Sequence, residues 1–126
     1  MKKPVNPKGS VTFPVHVYGG RVLLCLTHKA YEAAHKVLDP KEETETYDLA
    51  TVRGLSSRFS EMDHKSVYLI GYFDRKSPTL IHELAHTAFY IMSHAGVPIS
   101  GENDEVFCYL LDSLYEAALL AMKRRH

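Results

Sequence analysis

The stretch 77–95, SPTLIHELAHTAFYIMSHA, limits what this chain can fold into more than any other, because it sets His82-Glu83-Leu84-Ala85-His86 inside a helical pattern. A helix turns about 100° per residue, so residues four apart share a face, and His82 and His86 can present two imidazoles to one ion. Glu83 then lies beside that ion, within reach of a water on it without being a ligand, which is where a general base belongs. Ser77 as N-cap and Pro78 at the first helical position open the helix, Gly96 stops it, and Pro98 prevents its continuation. Ile81, Leu84, Ala85, Ala88, Met92 and Ala95 predict an apolar stripe, with Thr79, His82, Glu83, His86, Tyr90 and Ser93 on the polar side.

The rest of the chain has room for one domain around this helix. Residues 1–10 are polar, with Pro4, Pro7 and Gly9, and predict a flexible lead-in to a single metal-binding domain over 11–126. The runs VTFPVHVY and RVLLCLT flank Gly19-Gly20 and read as a hairpin around a two-residue turn, with His16 pointing outward. Thr27 caps a helix, HKAYEAAHKVL, that Asp39-Pro40 ends. Ala30, Tyr31, Ala34, Val37 and Leu38 are its core stripe, while His28 and His35 fall on a solvated face. The acidic KEETETYD is an exposed loop. Residues 49–61 hold one irregular strand with a break at Gly54, the turn at 62–65 follows, and SVYLIGYF is the clearest strand after the hairpin. A last helix starts around Ser100 to Asn103, with Val106, Phe107, Leu110, Leu114, Ala117, Ala118 and Ala121 facing the core. The expected class is α+β: a small antiparallel or mixed sheet with three helices, the HELAH helix being central.

Composition removes several function classes. Fifteen basic and fifteen acidic residues cancel, so there is no basic field for nucleic acid, and the terminal Lys123-Arg124-Arg125 reads as a helix end complementing the dipole. No apolar run reaches the roughly 20 residues that span a bilayer, and no apolar segment follows Lys2-Lys3 as a secretion signal requires. The expected location is cytoplasmic. Cys25 and Cys108, among apolar neighbours and without CxxC spacing, read as buried free thiols.

Two histidines do not complete a catalytic zinc site, which takes three protein ligands and keeps a fourth position for water. The longer spelling HExxHxxGxxH would need glycine and histidine where Phe89 and Met92 stand. His94 is about 12 Å along the axis from His86 and cannot close the same site. The candidates are carboxylates at the mouth of the last helix: Glu105, aimed from within the helix, or Glu102 as the alternative. Tyr109 and Asp112 follow Glu105 on its face.

Residues Thr79 to Ala88 resemble the extended signature of the zincin metallopeptidases, and a glutamate 19 residues after His86 resembles the glutamate-ligand branch, the gluzincins. The run HELAHTAFYIMSHAGVPISGENDEVFCYLLD is also similar to short HExxH proteins of tailed phages and prophages, over roughly 66–120. Two departures stand out: the Asn-Glu pair of thermolysin-like enzymes is Asn103-Asp104-Glu105 here, and Tyr109 takes the place of an aspartate. The resemblance implies a minimal zincin-like fold and one Zn²⁺ per chain bound by His82, His86 and Glu105. Glu83 is then the general base of peptide-bond hydrolysis, helped at the oxyanion by Tyr90, Tyr109 or Tyr72. The substrate, a peptide or protein, would be aligned on strand 66–73 at the sheet edge. A phage-encoded chain would act in the host cytoplasm. The alternative is a non-catalytic zinc-stabilised protein that binds a host or viral protein.

Overall fold

A computed structural model describes residues 4–41, 51–61 and 65–125. The elements run β1 (Ser10–Pro14), β2 (Arg21–Cys25), α1 (His28–Leu38), β3 (Gly54–Ser60), β4 (Ser66–Tyr72), α2 (Ser77–Ala95) and α3 (Asp104–Arg124). The strands form one mixed sheet in the order β1-β2-β4-β3. β1 pairs antiparallel with β2, β2 parallel with β4, and β3 antiparallel with β4. The α+β expectation is met.

The two central strands carry continuous apolar runs because both of their faces are covered. Every residue of β4 is buried. Leu23, Cys25, Val67 and Leu69 face Ala30, Tyr31 and Ala34 of α1. Val22, Leu24, Tyr68, Ile70 and Tyr72 face the other way, against Leu80, Leu84, Ala88, Ile91 and Met92 of α2 and Leu110, Leu114 and Ala118 of α3. The strand period of two thus divides the apolar residues between two cores. At about 25 cal/mol per Å² of apolar surface, each fully buried Leu or Ile here stabilises the fold by about 1.5–3 kcal/mol.

Several sequence expectations change. Strand 66–73 is not at the sheet edge: β4 is hydrogen-bonded on both sides, and the edges are β1 and β3. Its unbroken burial is what a central strand needs, whereas β3, GLSSRFS, turns Gly54, Ser56 and Arg58 toward α2 and packs Leu55 and Phe59 toward α1. The hairpin connection is wider than two residues. β1 ends at Pro14, the Val15 amide donates to the Gly20 carbonyl at 2.9 Å, and Val17, Gly19 and Gly20 all have positive φ, leaving His16 exposed in the turn. The lead-in is tied down from within, since Arg21 donates to the Val5 carbonyl at 2.6 Å while pairing with Glu61 at 2.7 Å, and β1 already begins at Ser10.

α1 follows its start and stop signals, with the Thr27 hydroxyl accepting from the Ala30 amide at 3.1 Å, but Val37 of the expected core stripe is exposed. Its histidines are half-buried, however, rather than on a solvated face. His28 packs edge-on against Phe73 and His35 against Phe59, because the α1 stripe is wide enough to cover β3 and the end of β4 as well as β2. Cys108 is exposed rather than buried, one position off the face that carries Leu110 and Leu114. The acidic stretch from Glu42 through Asp48 and the turn at Met62 to His64 lie outside the described residues.

Candidate active site

α2 begins one residue earlier than Ser77 suggests: Lys76 is the N-cap and has no capping side chain. Asp74 serves instead. Its carboxylate accepts from the Lys76 amide at 3.0 Å and from the Thr79 hydroxyl at 2.7 Å, and these two bonds hold it below the usual carboxylate range. The helix ends at Gly96 in the left-handed region, with its amide on the Met92 and Ser93 carbonyls, the glycine stop the sequence signals.

The buried face of α2 is rotated from the expected stripe. Leu80, Glu83, Leu84, Thr87, Ala88, Ile91 and Met92 are buried, and Ile81 is exposed. Glu83 therefore belongs to the inward side, only 7 % exposed. The reason is β3: the Ser56 hydroxyl donates to Glu83 Oε1 at 2.7 Å and stands 3.0 Å from the Glu83 carbonyl. Gly54 opens the space beside it, since a Cβ there would come within 2.9 Å of Thr79 Cγ2 and 3.0 Å of Glu83 Oε2. A small, hydroxyl-bearing strand gives a buried carboxylate both room and a donor.

His82 and His86 stand on the outer side of the same helix, both exposed, with Nε2 atoms 3.2 Å apart. Two nitrogens about 2.0–2.1 Å from a tetrahedral zinc are separated by about 3.3–3.4 Å, so the pair fits one ion with almost no movement. The same spacing suits a hydrogen bond between neutral imidazoles, one ring donating and the other accepting. Tyr90 continues the row: its ring lies roughly parallel to that of His86 at 6.5 Å, and its hydroxyl is 3.5 Å from the Ser56 carbonyl.

The expected third ligand does not join them. Among the described residues no group of three His, Cys, Asp or Glu side chains can hold a metal. Glu102 and Glu105 are both exposed, Glu105 in the first turn of α3, where with Asp104 it complements the helix dipole. The helix register explains this. Phe89 stacks on Phe107 at 4.7 Å and fixes the antiparallel return of α3. His86 lies three residues to one side of that contact and Glu105 two residues to the other, about 7.5 Å apart along the axes at about 1.5 Å per residue. Tyr109 is 69 % exposed on α3. Tyr72 is buried in the core, where burial first and the Asp74 carboxylate second push its phenol above the usual range. Of the three tyrosines, only Tyr90 borders the histidine pair and Ser56.

Sequence reasoning missed Ser56, Gly54, Arg58 and Asp74. The signal for the first three was small and polar residues alternating on a strand otherwise read as irregular; for Asp74 it was a capping acceptor three residues before Ser77. Compared with known families, curated proteins and solved structures, the chain matches none.

Proposed function

We propose that this chain is a zinc-dependent peptidase whose metal is gripped by His82 and His86 and whose general base is Glu83. The observation that carries the reading is the 3.2 Å separation of the two Nε2 atoms, one residue from a buried carboxylate that faces an edge strand. Zinc bound there supplies Lewis-acid polarisation of a carbonyl and a water of lowered pKa. Glu83 takes the proton from the attacking water and returns it to the leaving amine. Ser56, donating to Oε1, leaves Oε2 for that proton and fixes the rotamer of the base. Among the described residues β3, not β4, has the unpaired strand edge along which an extended peptide can align beside Glu83.

Metal analysis of the purified chain is expected to give about one zinc, and Glu83→Gln is expected to keep that zinc while lowering peptide hydrolysis by about 10²–10⁴-fold. Hydrolysis that survives in Glu83→Gln removes the glutamate from its role. A second reading, a non-catalytic protein that docks on a host or viral protein, is kept by one observation: the described residues give an ion two ligands, one short of the three that a catalytic zinc takes and two short of a closed structural site. A zinc-loaded wild type that cleaves no member of a diverse peptide library decides for it.

A further inference from the structure

On the α2 side of β3 the side chains are, in order, Gly54, Ser56 and Arg58, and they meet Thr79 and Glu83, then Glu83, then His94. Strand and helix therefore run in the same direction. Arg58 stands two residues beyond Ser56, about 6.6–6.8 Å at about 3.3–3.4 Å per residue, on the flank that holds the proposed general base.

Arg58 Nη2 lies 2.7 Å from His94 Nδ1 and 3.3 Å from Ser66 Oγ. A guanidinium is always the donor, so His94 Nδ1 accepts, which puts the imidazole proton on Nε2. Neither partner is a carboxylate. No described carboxylate is within ion-pair distance of Arg58, and its donors on Nε and Nη1 have no partner among the described residues. Among the described residues the arginine is thus oriented without being neutralised, and its remaining donors suit a carboxylate.

We propose that Arg58, steadied by His94, is an anion subsite that selects extended peptides carrying a carboxylate two residues from the bond that lies over Glu83. The proposal rests on the peptidase reading for its register. The carboxylate is either an acidic side chain or the free end of a peptide, and both offer the same chemistry to the guanidinium.

The test is binding of fluorescein-labelled extended peptides to the full-length chain carrying Glu83→Gln, read by anisotropy. In one series a single glutamate is walked through an amidated neutral peptide, with glutamine as its control; in the other the peptide is neutral and its C-terminus is free or amidated at each length. One register is expected to bind about tenfold more tightly than its uncharged control, and the series in which it appears identifies the source of the carboxylate. Arg58→Gln abolishes that preference. Arg58→Glu reverses it in favour of lysine at the same position, a result that loss of folding cannot produce. Equal binding of charged and uncharged peptides, or a preference that persists in Arg58→Gln, overturns the subsite. Charge-selective binding by a wild type that cuts nothing removes the peptidase reading alone, and cleavage indifferent to charge removes the subsite alone.

Discussion

Glu83 is a carboxylate withdrawn from water without a described cation beside it, so its donor matters more than it would at the surface. Removing one partner of a buried polar group costs about 1–3 kcal/mol, and Ser56→Ala is expected to lower stability by that amount in urea titration while also reducing hydrolysis. Gly54→Ala tests the space rather than the bond. Its Cβ meets Glu83 Oε2 and Thr79 Cγ2 at about van der Waals overlap, and the crowding is expected to cost about 1–3 kcal/mol and to displace the carboxylate, visible as a lower urea midpoint and a loss of activity. The meeting of His82 with His86 was legible in the sequence because residues four apart on a helix share a face, whereas the inward turn of Glu83 was not. Ser56 was not, since its partner is 27 residues away and no local period announces a hydrogen bond across elements.

At the scale of elements, α2 is punctuated at one end by glycine and at the other by a side chain from outside the helix. Asp74 has its folded pKa lowered, first by the Lys76 amide and then by the Thr79 hydroxyl, so its contribution is present above the unfolded-state value of 3.8 and fades as pH falls through the lower folded value. Asp74→Ala is therefore expected to lower the melting temperature at pH 7, with the difference from wild type vanishing in acid below the folded pKa, as circular dichroism melts across pH will show. The helices and the central strands were readable from period and caps. β3 was hard to read because half of its residues are small and polar for the sake of α2. The edge position was assigned to the wrong strand for a related reason: a seven-residue apolar run fits either a half-covered or a fully covered strand until both neighbours are known.

For the whole molecule, the sheet separates two thiols of opposite character. Cys25 lies between α1 and the sheet, and burial pushes its thiol up to about 12, whereas Cys108 is exposed on α3. An Ellman titration at pH 8 is expected to count one fast thiol in the native protein and two in guanidinium, with Cys108→Ser leaving no fast reaction. On the proposed reading, zinc linkage reports on the entire fold as well. Free zinc at a hundredfold excess over its Kd stabilises a single-site protein by about 2.7 kcal/mol, so the melting temperature should climb with zinc in the wild type and stay flat in His82→Ala.

The two imidazoles sit four residues apart on one helix, whereas the base depends on a strand far upstream in the chain. On the proposed reading, a cation could be captured during refolding as soon as a few turns of α2 have formed, whereas hydrolysis would wait for β3 to arrive. A refolding time course that follows metal uptake and peptide cleavage together would then see occupancy lead turnover, with the lag recording how long the sheet takes to close.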